Sequence, residues 1–131
     1  MSTLNIIKSI DIEDEVRIAL KDYLTVYCQP LPAALAVPSV EVRKVGGGDR
    51  DTIDTATIML YARATDEASA DDYLRTAIGV LKAVCDKQTT ALRFATVNTS
   101  GAWGTDPVRP DLALCTATLQ VRAHQVKEEI S

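Results

Sequence analysis

The residues best suited to catalysis in this chain do not form a recognisable catalytic set. His124 is the only histidine, and Cys115, the cysteine closest to it in sequence, lies nine residues earlier. Both fall in one predicted strand, where an odd separation places the two side chains on opposite faces of the sheet. A Ser-His-Asp or Cys-His device needs its nucleophile and its base within hydrogen-bond reach. We therefore predict a solvated histidine and no hydrolase site.

An acidic cluster follows Asp11 and comprises Glu13, Asp14 and Glu15. Paired carboxylates can act as general acid and base where their surroundings raise one pKa. The same residues also suit the start of a helix, because Asp11 is a good N-cap and acids in the first turn complement the helix dipole. We favour the helix start. Since no nucleophile, base and oxyanion donor converge elsewhere, the sequence predicts that the protein is not an enzyme.

The run Gly46-Gly47-Gly48 is a candidate phosphate-binding loop, since glycine allows close approach of the backbone to phosphate. It lacks the Lys and the Ser or Thr of a nucleotide-binding loop, and no helix follows directly. We interpret it as a hairpin turn with an exposed tip at Asp49-Arg50-Asp51-Thr52. The cysteines, at positions 28, 85 and 115, form no zinc or disulfide pattern. We predict reduced thiols, no metal and no cofactor.

The chain has 131 residues and a formal net charge of −4 at pH 7. This length fits a single domain, residues 1–131, with one hydrophobic core. The acidic balance argues against tight binding of duplex nucleic acid, which needs concentrated Lys and Arg. The first residues lack a basic region followed by a long apolar run, so we expect neither a signal peptide nor a membrane span, and synthesis in the cytosol.

Hydrophobic spacing predicts two helices and four strands. The first helix starts after Asp11 and ends near Cys28, and the second starts at Thr65 or Asp66 and fades from Asp86. Gly79 inside the second helix predicts a close approach to the sheet or to another helix. Strands are expected at 40–45, in a longer run ending at Ala64, at 91–97 and at 111–124. The order α-β-β-α-β-β predicts an α+β two-layer sandwich, with a mostly antiparallel four-stranded sheet and both helices on one face.

The sheet face away from the helices is predicted to carry Thr57, Met59, Tyr61 and Arg63 beside Arg122 and its neighbours on the last strand. Such a face can meet water, or it can be a subunit interface in which aromatic and Arg side chains anchor the contact. The sequence leaves both interpretations open.

Residues 98–110 form a predicted loop that is too long for a tight hairpin and contains Trp103, the only tryptophan. Trp103 either folds back onto the end of the sheet or contacts a neighbouring subunit. We favour the contact.

Two segments, Val45-Gly46-Gly47-Gly48-Asp49-Arg50 and Trp103 to Arg109, carry a resemblance to a known family. Together with the size of the chain and the order of its predicted elements, they make it resemble the tail-terminator (tail-completion) proteins of long-tailed bacteriophages over nearly its whole length. The resemblance implies a ring, usually of six subunits, that caps the tail tube, stops its polymerisation and joins the tail to the head connector. The protein would then be a structural component of the virion tail and neck, assembled in the cytoplasm of the host.

The partners implied by this resemblance are copies of the chain itself, the tail-tube protein and a head-completion or connector protein. Genomic DNA would only pass through the lumen, where acidic subunits would repel it. We predict contact residues from their exposure and chemistry and from matching family positions: Gly47, Asp49, Arg50, Asp51, Tyr61, Arg63, Trp103, Asp106, Arg109 and Arg122.

Two alternatives stay open. Another neck or head-completion protein would share the ring and stack at a different level. A ferredoxin-like regulatory domain that binds a small molecule also places two helices on an antiparallel sheet. Its β-α-β-β-α-β order differs from the order predicted here, and the sequence shows no charged cluster that would clamp a ligand.

Overall fold

The computed structural model describes residues 2–50, 53–106 and 109–131, and in these the chain adopts an α+β fold with two helices and a mostly antiparallel sheet. In chain order the elements are β1 (Leu4–Lys8), α1 (Ile12–Lys21), β2 (Val26–Tyr27), β3 (Ser39–Arg50), β4 (Ile53–Ala64), α2 (Glu67–Lys87), β5 (Leu92–Thr105), β6 (Ala113–His124) and β7 (Val126–Ile130).

The main sheet has five strands in the order β2-β3-β4-β6-β5, whereas four were predicted. The short β2 adds a parallel edge next to β3, and the other pairings are antiparallel. β1 and β7 form a separate two-stranded antiparallel sheet, which was not predicted. These two strands lie near the two ends of the chain and are short and largely exposed. Their sequences lack the alternation of apolar and polar residues from which the longer strands were predicted.

Both helices pack their apolar stripes on one face of the main sheet. The buried side chains of α1 and α2 belong to the same cluster as the inward side chains of β3, β4 and β6. The predicted N-cap Asp11 is confirmed, since its carboxylate accepts a hydrogen bond from Asp14 N at 3.1 Å. Asp66, at the predicted start of the second helix, caps α2 by accepting one from Ser69 N at 2.8 Å. The apolar side chains that repeat along α1 and α2 with helical spacing therefore form the part of the core on the helix side of the sheet.

The first helix ends at Lys21, not near Cys28 as predicted. At this end of the helix, Tyr23 N and Leu24 N both donate hydrogen bonds to Leu20 O. The next residues are β-branched or aromatic, and Val26 and Tyr27 pair with Val40 and Glu41 instead of extending the helix. Backbone pairing with β3 is therefore favoured over a longer helix, although the helical spacing of apolar residues continues in the sequence.

The first hairpin has the predicted faces. Val40 pairs with Ala62 and Val42 pairs with Leu60, and all four side chains are fully buried. The glycine run, however, lies inside β3 and is not the turn. A bulge between Lys44 and Gly46 shifts the register, and pairing with β4 continues to Arg50. The tip residues Asp51 and Thr52 lie outside the described residues.

Gly47 is the one position in this run where the absence of a side chain is required. A Cβ atom at Gly47 would lie 2.8 Å from the backbone oxygen of Thr55 and 3.3 Å from the Cα of Ala56, whereas a Cβ at Gly46 or Gly48 would meet nothing within 4 Å. The Thr55 and Ala56 atoms belong to the backbone of the paired strand and have little room to move.

We therefore expect Gly47→Ala to lower the free energy of unfolding by about 1–3 kcal/mol, because the added methyl group forces the two strands apart. Gly46→Ala and Gly48→Ala are the matched controls, and both should be neutral or slightly stabilising. Urea denaturation of the three variants checks this expectation. Equal effects at all three positions would contradict it.

Two further predictions, about Gly79 and about residues 98–105, are wrong. Gly79 lies on the exposed side of α2 with open space around it, so it marks no close approach. Residues 98–105, predicted as loop, belong to β5. Three irregularities in the pairing of β5 with β6 absorb the polar and glycine residues, and Gly101 adopts a φ of 79° at the last of them.

Candidate functional site

A buried charged cluster lies at the end of the sheet where β3 begins and β4 ends. Arg63, predicted as an exposed contact residue, is almost fully buried. Its Nε donates to Asp106 Oδ2 at 2.6 Å and its Nη1 donates to Glu41 Oε1 at 2.9 Å. The prediction of exposure is wrong because chain segments on both sides of β4 cover this end of the outer face. One guanidinium thereby joins three segments that are distant in sequence.

Glu41 is the second centre of this cluster and is 1% exposed. Its Oε2 accepts hydrogen bonds from Gln29 Nε2 at 2.8 Å and from Arg43 Nη2 at 2.6 Å. Burial alone would raise the pKa of Glu41, but the hydrogen bonds from Gln29, Arg63 and Arg43 together lower it. The carboxylate is therefore ionised at neutral pH.

Tyr61 completes the cluster with its ring. The Arg43 guanidinium carbon lies 4.8 Å from the ring centroid, and that of Arg63 lies 6.0 Å from it. The Tyr61 hydroxyl donates to the sulfur of Met59 at 3.3 Å. Cations over an aromatic face are attracted by its quadrupole, so Tyr61 helps to hold both arginines in place.

The cluster forms the charged wall of a cleft of about 530 Å³. The opposite wall comes from the proline-rich segment after β2, which includes Pro30, Leu31 and Leu35. Arg109 stands at the cleft and donates to Asp111 at 3.3 Å. The cleft thus combines apolar side chains with guanidinium groups that are each paired with a carboxylate, which suits a flat aromatic group.

The acidic cluster at the start of α1 has structural contacts. Asp11 caps the helix, Asp14 pairs with Arg17 at 2.8 Å, and Glu13 accepts a hydrogen bond from the backbone N of Lys44 at 2.8 Å. The last contact satisfies an N–H group of β3 and ties the helix to the sheet. The helix start predicted from the sequence is confirmed.

Cys115 and His124 lie where the alternation of side chains along β6 predicts. Cys115 is buried and His124 is exposed on the opposite face. Burial, followed by the charge of Glu13, raises the pKa of Cys28 to about 11, which keeps its thiol protonated at neutral pH. Within the described residues no group of three or more His, Cys, Asp or Glu side chains could hold a metal ion. Over the same residues, neither helix is long and apolar enough to cross a membrane.

The structure brings together four of the ten predicted contact residues and leaves the others apart. Tyr61, Arg63, Asp106 and Arg109 line the cleft. Trp103 lies on the edge strand β5 and is 47% exposed, while Arg122 lies on the outer face of β6. Gly47 lines a small separate pocket, the backbones of Asp49 and Arg50 pair with β4, and Asp51 lies outside the described residues.

Sequence reasoning missed Glu41 and Gln29 as members of the site. A signal for Glu41 was present, because it alternates with Arg43 and pairs with Tyr61, one step from Arg63 on the same face. Opposite charges on neighbouring strands of one face are expected to interact. No comparable signal marks Gln29, which reaches the cluster from the loop after β2.

Comparison of the chain with models of known protein families gives no match, and a search of curated proteins gives none either. The expectation of a tail-terminator protein therefore depends only on the residues named in the sequence analysis.

Proposed function

We propose that this protein is a ring-forming structural protein that caps a bacteriophage tail tube, stops its polymerisation and joins the tail to the head connector. The observation that carries the proposal is Trp103, a half-exposed tryptophan on the edge strand β5, together with an apolar and arginine-lined cleft that reaches the loop after β2 near the other edge. Large aromatic side chains in such positions commonly anchor protein contacts.

The strand pairing gives the positions of Trp103 and of the cleft along the strands. Tyr61 pairs with Thr116 on β6, and Trp103 pairs with Cys115, the next residue of the same strand. Tyr61 lines the cleft near β3, and β5 is the last strand on the opposite side. The tryptophan and the cleft therefore lie on almost the same row of the sheet. The cleft extends from the loop after β2 to Leu114 of β6 and to Asp106, three residues after Trp103.

A contact between two different surfaces of the subunit is a head-to-tail contact. Such a contact closes into a ring when the rotation between neighbours divides a full turn. We place Trp103 of one subunit against the cleft of the next, where Arg43 and Pro30 would face the indole. Six subunits are the number that the family resemblance implies. The net charge of −4 per subunit suits a lumen through which DNA slides.

The proposal is tested by the mass of the purified protein across a range of concentrations, alone and with tail-tube protein or tails. A closed ring, or a monomer that forms a ring on tail ends, supports it. The proposal includes localisation in the virion neck, with the tail-tube and connector proteins as partners. A monomer or dimer that ignores tails would refute the proposal.

Trp103 also gives a direct optical measurement, because it is the only tryptophan. Assembly should shift its fluorescence to shorter wavelength as the indole leaves water. We expect Trp103→Ala to weaken self-association by about 30-fold or more, the effect of losing an anchor worth about 2 kcal/mol. Tyr23→Ala, which removes a 63% exposed aromatic ring after α1, is the matched control and should leave assembly unchanged. Equal effects of the two variants would count against the contact.

The cleft also favours a second candidate function, binding of a small molecule by a regulatory domain. Arg43 and Arg109 stand in a cleft of sufficient size for such a ligand. The β-α-β-β order at the start of the chain approaches the ferredoxin-like order, but β1 lies outside the main sheet. A metabolite screen by thermal shift separates this function from the first. Another neck or head-completion protein would differ from a terminator in binding the connector and not the tube.

A further inference from the structure

The ends of the chain form a terminal ribbon, defined as β1 and β7, that stands apart from the main sheet. Leu4 pairs with Ile130 and Lys8 with Val126, with regular antiparallel pairing between them. The two strands contact each other far more than any other element. An isolated two-stranded ribbon is marginally stable in water, which indicates that this one is completed by a further surface.

A buried carboxylate holds the root of the ribbon. Asp54 Oδ1 accepts hydrogen bonds from Ser9 Oγ at 3.0 Å and Gln125 Nε2 at 2.9 Å, and its Oδ2 accepts one from Ile10 N at 3.0 Å. Ser9 and Ile10 follow β1, and Gln125 precedes β7. Burial alone would raise the pKa of Asp54, but the hydrogen bonds from Gln125, Ile10 and Ser9 lower it. Both strands of the ribbon thus leave the sheet from one fixed point.

One face of the ribbon is apolar with a carboxylate at its centre. The pairing places Leu4, Ile6, Val126 and Ile130 on this face together with Lys8 at one end, and Leu4 is 60% exposed. Glu128 lies between Val126 and Ile130 on the same face and pairs with Lys8 at 3.3 Å. The opposite face carries Asn5, Ile7, Lys127 and Glu129. An exposed aliphatic strip of this kind favours contact with another surface.

The outer face of the main sheet offers a surface of the opposite kind, the Phe94 groove, lined by Phe94, Thr96, Gln120 and Arg122. Its volume is about 340 Å³, and Phe94 is 65% exposed. Arg122 is exposed and makes no ion pair within the part of the chain that the structure describes. The groove therefore joins an exposed aromatic ring to a guanidinium available for a carboxylate.

We propose that the apolar face of the terminal ribbon of one subunit docks in the Phe94 groove of a second copy of this chain. Leu4, Val126 and Ile130 would cover Phe94, and Glu128 would pair with Arg122 in addition to Lys8. The occupant is chosen by this complementarity, an aliphatic strip with a central acid against an aromatic groove with a central base. The contact deepens the ring of the proposed function and rests on it for the number of subunits.

The test reverses the two charges. Arg122→Glu alone and Glu128→Arg alone should each weaken self-association by about tenfold or more, and the double variant should return to within about threefold of the wild type. Association is measured by sedimentation on the full chain, or on tail ends if the wild type is monomeric alone. A double variant no better than the weaker single variant overturns the proposal.

Matched controls come from the opposite face of the same ribbon. Glu129→Arg should leave association unchanged, and Ile7→Asp should act far less than Leu4→Asp, although all these positions are exposed. Equal losses on both faces would overturn the proposal. If the charge reversals behave as expected and the protein ignores tails, the ribbon contact stands and the tail function fails. If rings form on tails regardless of these substitutions, the function stands and the ribbon contact fails.

Discussion

Replacing Arg63 by alanine is expected to lower the free energy of unfolding by about 3–5 kcal/mol. The substitution leaves Glu41 and Asp106 in the interior without the guanidinium that now donates to both. Arg43 still donates to Glu41, but both buried carboxylates lose the charged hydrogen bond from Arg63 that offset part of the cost of their desolvation. Urea denaturation followed by circular dichroism measures the change.

Arg75→Ala is the matched control, because it removes an arginine that also pairs with two acids. Arg75 lies on the exposed side of α2, with Asp71 at 2.9 Å and Asp72 at 3.9 Å. Exposed pairs of this kind contribute about 1 kcal/mol at most. Similar losses for the two variants would mean that the Arg63 cluster is as well hydrated as the helix surface.

A second substitution tests the cause. Asp106→Asn in the Arg63→Ala background removes a buried negative charge while keeping the shape of the side chain, and it leaves the Glu41–Arg43 pair in place. It should recover part of the lost stability, because the interior then holds one negative charge fewer. A further loss of the full size of a buried hydrogen bond would show that packing, and not charge, makes Arg63 important.

The sequence predicts those parts of the fold where one period runs undisturbed. In α2 the side chains Ala70, Leu74, Ala77, Leu81 and Cys85 repeat at three and four residues, and all are buried as predicted. In β6 strict alternation from Ala113 to Ala123 places every second side chain in the core. A regular period over ten or more residues leaves few alternatives for either element.

The sequence failed where distant segments decide the outcome. Residues 98–105 are polar and glycine-rich, yet they form part of β5 because β6 supplies a long template and bulges absorb the irregular residues. The terminal ribbon depends on pairing between the two ends of the chain, which no local pattern reveals. Arg63 alternates as an outer-face residue and does lie on that face, but loops from elsewhere bury it.

The candidate site, too, could be predicted only in part from the sequence. Tyr61, Arg63, Asp106 and Arg109 were selected for their chemistry, and the fold gathers them at one cleft. What local reasoning could not supply was the reason for their grouping, which is the ion pair between β4 and the segment after β5. Phe94 was missed because strand alternation gives it no special character until the structure leaves its ring uncovered.

Leu60→Ala is expected to lower the free energy of unfolding by about 2–5 kcal/mol, the usual range for a fully buried leucine. Leu60 lies at the centre of β4, between Val42 on β3 and Ala117 on β6. These neighbours are small and held by the backbone pairing of three strands, so they are poorly placed to fill the cavity. Thermal and urea denaturation measure the effect.

Met59→Ala is the matched control, since it removes a side chain of similar size from the next position of the same strand. Met59 lies on the outer face, half-buried, and accepts the Tyr61 hydroxyl. We expect a loss of about 1 kcal/mol or less, because the outer face has no helix above it. Equal losses at Leu60 and Met59 would contradict this division between the two faces. If the division holds, the open part of the outer face around Met59 contributes little to the stability of the single chain, unlike the buried Arg63 cluster at the end of that face, and is free to vary for contact with a partner.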